Sequence, residues 1–130
     1  MSAREAYVSL ENTTIYDLTL DMNSINLRHG EWVRYPPGQI DAGTTGNWRS
    51  DSGGFMTGTE GTLRYYINDE KWNPETWNPD NWVSVHWKIP YSGTNGADGD
   101  TSDHYRYLCK VVSNDIKGSK PHMDFQLSSK

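Results

Sequence analysis

Apolar and polar residues alternate with a period of two along most of this chain, and no stretch of eleven or more residues carries a helical stripe. That pattern predicts a nearly all-β protein. Ala6, Val8 and Leu10 alternate with Tyr7, Ser9 and Glu11, which describes a first strand with one dry and one wet face. Asn12-Thr13-Thr14 reads as a turn, and Tyr16, Leu18, Leu20 and Met22 as the inward row of the next segment, so a hairpin is expected here. Asn26 to Arg34 reads as one segment ended by the turn Tyr35-Pro36-Pro37-Gly38, with a short piece Asn47-Trp48-Arg49-Ser50 after it. Leu63, Tyr65 and Ile67, and then Val83, Val85, Trp87 and Ile89, alternate cleanly as two half-buried strands. Ser92 to Asp103 is polar and glycine-containing and reads as a surface loop. Tyr105, Tyr107, Cys109 and Val111 are expected to face inward together, and Met123, Phe125 and Leu127 to close the core. Short strands separated by turn signals predict a single-domain antiparallel β-sandwich spanning residues 1–130.

Two segments interrupt this pattern. Ser52-Gly53-Gly54-Phe55-Met56-Thr57-Gly58-Thr59-Glu60-Gly61 sets two apolar side chains among four glycines and runs directly into a strand. A phosphate-binding loop needs a Lys followed by Ser or Thr after its last glycine, and then a helix; neither is present. The glycines are read as hinges and Phe55-Met56 as a plug between sheets. The second segment, a Trp-rich loop at about residues 69–82, repeats Trp-Asn-Pro and places Trp72, Trp77 and Trp82 five residues apart. Prolines exclude it from a central strand. Its indoles either fold over the sandwich or form an exposed platform for a glycan or receptor.

Composition narrows the function. Seventeen acidic residues against twelve basic give a net charge of −5, which opposes nucleic acid and disfavours anionic membranes. The aromatics are six Trp and eight Tyr but only two Phe, a bias toward rings with an apolar body and a polar tip. The one cysteine, Cys109, cannot form an intramolecular disulfide, and alternation places it inward as a small hydrophobe. His86, His104 and His122 fall on outward phases and read as solvated surface histidines. No nucleophile elbow, zincin motif or cysteine pair is present, so an enzyme is not expected, nor a cofactor or a bound metal. No apolar run nears the ~20 residues of a membrane span, and the first residues are too polar for a signal peptide. A soluble protein is expected, released from its producing cell or deposited as an inclusion. The aromatics marked as outward or near strand ends are Tyr7, Trp32 and Tyr91, joined by the repeat. Stacking, cation-π contact and interfacial partitioning suit such a set to lipid headgroups or to sugars.

Several motifs together closely resemble the aegerolysin-like family. They are Met1-Ser2-Ala3-Arg4-Glu5, the Gly30-Glu31-Trp32 step, the whole of Ser52 to Thr62, Tyr65-Tyr66-Ile67-Asn68, and Pro90-Tyr91-Ser92-Gly93-Thr94-Asn95. Within that family the chain looks like the small component of the binary insecticidal crystal toxins. The resemblance implies a β-sandwich that binds target-membrane lipids, sphingolipid among the candidates, and contributes to pores, with homo-oligomers on the membrane as a further implication. It also implies a larger partner: a lectin-like insecticidal toxin subunit, or a perforin-like protein as in fungal members. The lipid-contacting tryptophans of fungal members would fall on Tyr7, Trp32 and Tyr91, of which only Trp32 keeps its type. Their headgroup acid would fall on Thr57 and their lysine near Thr94, so neither charge is retained. The Trp72 to Trp82 segment looks like an insertion. The alternative reading is a carbohydrate-binding, lectin-like sandwich built on that repeat.

Overall fold

A computed structural model describes residues 3–54, 56–69 and 81–130. Among these, eleven strands form two sheets. In chain order they are β1 (Glu5–Asn12), β2 (Leu18–Leu20), β3 (Asn26–His29), β4 (Glu31–Arg34), β5 (Gln39–Ile40), β6 (Thr45–Asp51), β7 (Thr59–Ile67), β8 (Trp82–Ile89), β9 (Gly96–Thr101), β10 (Tyr107–Val111) and β11 (His122–Ser129). The first sheet runs β10-β11-β1-β6-β4. The second runs β5-β2-β7-β8-β9, with β3 also paired to β7. Every pairing is antiparallel except β1 with β11.

The expected alternations fill the core. Ala6, Val8 and Leu10 from β1, Leu63, Tyr65 and Ile67 from β7, Val83, Val85, Trp87 and Ile89 from β8, and Met123, Phe125 and Leu127 from β11 are all buried. Trp48 and Trp87 meet edge-on at 5.8 Å in its middle. A short polar chain ties the sheets together there. The Trp87 indole N–H donates to Ser50 Oγ at 3.0 Å, Ser50 and Thr59 share a hydroxyl hydrogen bond of 2.6 Å, and the Thr59 hydroxyl lies 3.2 Å from the His29 carbonyl oxygen. A buried indole needs such an acceptor, and β6 supplies it from across the sandwich.

Five expectations are corrected. The first hairpin does not form, because β1 and β2 belong to different sheets. Asn12, fully buried, makes a corner instead: its Nδ2 donates to the carbonyls of Tyr16, Ile40 and Asp41, and its Oδ1 accepts from the Thr14 N–H and hydroxyl. Met22 leaves the inward row, 67% exposed, because Asp21 caps a 3₁₀ turn over Met22–Ser24 by accepting the Asn23 N–H. Asn26 to Arg34 is two strands in two sheets, broken at Gly30, whose φ of +106° suits glycine and whose close neighbour is the Asp51 carbonyl oxygen. The expected loop from Ser92 to Asp103 contains β9. Ala97 is its one apolar residue, and the absence of a side chain at Gly99 has a packing reason, since a Cβ there would lie 2.5 Å from Cys109 Sγ. Tyr105 does not share the inward face of Tyr107 and Cys109. It sits 95% exposed in a turn where Asp103 Oδ1 accepts the N–H groups of Tyr105 and Arg106.

Candidate functional site

Register and cross-sheet hydrogen bonds place the start of β1, the end of β6, the start of β7 and the end of β8 at one end of the sandwich. Two connections form the rim of this end: residues 52–58 between β6 and β7, and residues 90–95 between β8 and β9. They touch closely. A Cβ on Gly58 would lie 2.5 Å from the Ile89 carbonyl oxygen and 2.8 Å from Pro90 Cα, so glycine is what lets the two backbones meet.

Tyr91 stands at this junction, 43% exposed, between two clefts. One, of about 490 Å³, is lined by Arg28, Lys88 and Glu60 together with Met56, Thr57 and Tyr91. The other, of about 500 Å³, is lined by Arg4, Lys117, Thr94 and Asn95, again with Tyr91. Arg4 connects the strand start to this residue: its guanidinium carbon lies 5.5 Å from the Tyr91 ring centroid, and its Nη2 donates to the Tyr91 carbonyl oxygen at 2.9 Å. Glu60 is held below the usual carboxylate range, chiefly by its hydrogen bond with His86, and it meets the His86 ring at 2.8 Å. The first cleft therefore offers two cations and a carboxylate that stays ionised, and the second offers two cations beside an aromatic ring. Phosphate oxygens suit the cations, and a quaternary or primary ammonium suits Glu60 and the ring.

The structure does not bring Tyr7, Trp32 and Tyr91 into one patch. Tyr7 lies on the outer face of the first sheet, between two neighbours in adjacent strands. His122 stacks on it at 4.9 Å and 12°, and the Arg49 guanidinium lies 4.7 Å from the ring centroid. That guanidinium is itself engaged by Asp51, at 2.9 Å for each of two hydrogen bonds, and by Glu5. Trp32 lies at an edge, on the terminal strand β4 of its sheet, but its ring was expected outward and is instead half-buried and packed on the core, 5.1 Å from Tyr35 and 6.0 Å from Trp87 by ring centroids. The plug expectation for the glycine-rich segment is corrected at Met56, which is 54% exposed; Phe55 lies outside the described residues.

Of the Trp-rich loop, Trp72 and Trp77 also lie outside the described residues. Trp82 opens β8, half-buried, with the Arg64 guanidinium 5.5 Å from its ring. The residues that bracket the rest, Asp69 and Asn81, are buried at the end of the sandwich opposite Tyr91. Asp69 accepts from Asn81 at 2.8 Å and from the Tyr107 hydroxyl at 2.7 Å, and it pairs with Arg106 at 3.5 Å. The histidines do not converge. His86 lies on the second sheet between Glu60 and Asp98, His104 is in the β9–β10 turn beside Asp100, and His122 is on the first sheet. Among the described residues no group of three His, Cys, Asp or Glu side chains could hold a metal ion, and no helix is long and apolar enough to cross a membrane. Burial pushes the Cys109 thiol up to about 12, well away from nucleophilic thiolate behaviour.

Sequence reasoning missed Arg4, Arg28, Met56, Lys88 and Lys117. The cations are scattered along the chain and converge only because each sits on or beside a connection at the same end. Met56 had a signal, its place in the glycine-rich string, that was assigned to the core.

No family model matches the sequence, and no curated protein does. Solved structures do match. The fold is similar to that of the lipid-binding protein Nakanori, with a TM-score of 0.71 and 11% identity over 98% of this chain and 72% of that one. It is also similar to RahU, solved in complex with a TRIS molecule, with a TM-score of 0.69 and 13% identity over 100% of this chain and 98% of that one. At these identities the likeness is one of fold, and the fold of this chain is an aegerolysin-like, all-β sandwich.

Proposed function

We propose that this chain is a non-enzymatic, membrane-binding protein that docks on lipid headgroups with its Tyr91 end and serves as one component of a two-protein, pore-forming cytolytic toxin of the insecticidal type. The observation that carries the docking step is the meeting of two cation-bearing clefts at one exposed tyrosine. Arg28 and Lys88 meet headgroup phosphate, Glu60 and Tyr91 take its ammonium, and Arg4 and Lys117 provide a second anion contact. The fold is shared with a protein described as lipid-binding, which supports the same reading. The second protein and the pore rest on the family resemblance of the sequence motifs. Trp32 contributes by shaping the core beneath this end, and Tyr7 by the face of the adjoining sheet.

Co-sedimentation with sphingomyelin–cholesterol vesicles and with phosphatidylcholine vesicles tests the docking step. Binding is expected to fall about tenfold in Tyr91→Ala, as for removal of one large interfacial side chain, with the thermal midpoint unchanged. Dye release with and without a lectin-like or perforin-like partner tests the pore. A folded protein that sediments with no vesicle would overturn the proposal.

A further inference from the structure

We propose that Met56 is a membrane-inserting residue, carried on a preformed wedge that the glycine-rich connection between β6 and β7 builds beside Tyr91. This inference rests on the docking reading above and adds to it the residue that enters the bilayer.

Met56 has a φ of +57°, and it is the one non-glycine residue with positive φ among those described. A long side chain there is sterically disfavoured and persists only where the surroundings dictate the backbone. Here they do so twice. The Thr57 hydroxyl lies 2.7 Å from the Ser52 carbonyl oxygen and 2.8 Å from that of Gly54, and it accepts the Gly54 N–H at 3.2 Å, which knots the loop onto itself. On the other side Gly58 seats the loop against the backbone of Ile89, Pro90 and Tyr91. A constrained loop of this kind would be readily explained if it drove Met56 into the core. It does the opposite, leaving Met56 54% exposed on the wall of the cleft that also holds Arg28, Lys88 and Tyr91. Strain and exposure together bring no packing inside the molecule, whereas an acyl layer would cover the side chain.

The surroundings favour a bilayer over other apolar occupants. An unbranched, adaptable side chain with cations and an amphipathic ring around it matches the order of a membrane surface, in which phosphate lies above the acyl boundary. The opposite end offers a built-in contrast. It carries an exposed aromatic, Tyr105, but the charges around it are of both signs and engaged with one another or with the backbone: Asp103 accepts the N–H groups of Tyr105 and Arg106, Asp100 pairs with His104, and Lys130 donates to the His104 carbonyl oxygen.

A single-site environmental probe tests this. Cys109 is buried and its thiol is pushed up to about 12, so an NBD label directed to Met56→Cys reacts at residue 56, and Tyr105→Cys supplies the matched label at the far end. On binding to sphingomyelin–cholesterol vesicles, the label at residue 56 is expected to shift to the blue and to be quenched by lipid-borne spin labels, while that at residue 105 keeps its aqueous spectrum. Met56→Gly separates side chain from backbone. Glycine accepts the positive φ, so the thermal midpoint should not fall, yet vesicle affinity should drop about fivefold to tenfold. Protein that sediments with vesicles while the label at 56 stays aqueous, or Met56→Gly binding as tightly as the parent, overturns the insertion and leaves docking intact. Absence of vesicle binding by the parent protein overturns both.

Discussion

Ser50→Ala is the sharpest test of how the two sheets are held. Ser50 is fully buried on β6, and its hydroxyl is the acceptor for the Trp87 indole N–H at 3.0 Å and the partner of Thr59 at 2.6 Å. Thr59 retains its contact with the His29 carbonyl oxygen after the substitution, whereas the Trp87 indole N–H has no other hydrogen bond among the described residues. The volume removed is a single oxygen, so the cavity contribution is small and the dominant loss is one desolvated donor, about 1–3 kcal/mol. With about 2.1 cal/mol/K of unfolding entropy per residue over 130 residues, each kcal/mol lowers the melting temperature by about 4 °C. The expected drop is therefore about 4–11 °C. Urea unfolding of Ser50→Ala, Trp87→Phe and the double variant measures the coupling directly. Ser50→Ala should cost much less in the Trp87→Phe background, because no indole donor remains to be stranded, giving a coupling of about 1–2 kcal/mol. A single-variant loss below about 0.5 kcal/mol, or equal losses in both backgrounds, would show that the indole was not relying on Ser50.

Two further outcomes follow from the same geometry. Trp32→Ala should destabilise the fold by about 2–3 kcal/mol, less than the 3–5 of a fully buried aromatic, since the ring is half-buried between Tyr35 and Trp87; a melting temperature within about 2 °C of the parent would return it to a purely surface role. Glu60 has its pKa lowered in the folded state from 4.5, chiefly by the hydrogen bond with His86, so its contribution is fully present above that value and is lost as pH falls through the depressed folded value. Glu60→Gln should accordingly flatten the acid limb of a stability-versus-pH curve below about pH 4.5, and an unchanged limb would contradict the ion pair's role.

The β7 and β8 strands were legible because both faces obey a strict period of two, with the inward positions apolar from Leu63 to Ile67 and from Val83 to Ile89. β9 was not, because its packing against β10 is made by a glycine under Cys109, and a missing side chain leaves no hydrophobic signal. The break at Gly30 was visible only as a glycine; that it transfers the chain from one sheet to the other depends on Asp51 and Thr59, which lie 21 and 29 positions further along. Trp32 shows the same limit at a candidate site residue. Position within a short strand near a turn does not reveal whether a ring points out or lies on a second ring from the opposite sheet.

The period-two pattern, the turn residues and the aromatic bias determined by themselves that this protein is an all-β sandwich with interface-type rings, and they identified the glycine-rich string as unusual. These are properties of adjacent residues, set by pleat geometry and local sterics. Only the tertiary structure decided which end of the sandwich each feature occupies. It separated Tyr7, Trp32 and Tyr91, gathered Arg4, Arg28, Lys88 and Lys117 around Tyr91, turned Met56 outward, and set the buried roots of the Trp-rich segment at the opposite end. The reason is that sheet register joins residues as far apart as Tyr7 and His122, and such pairings are settled by the packing of the whole core rather than by any local run.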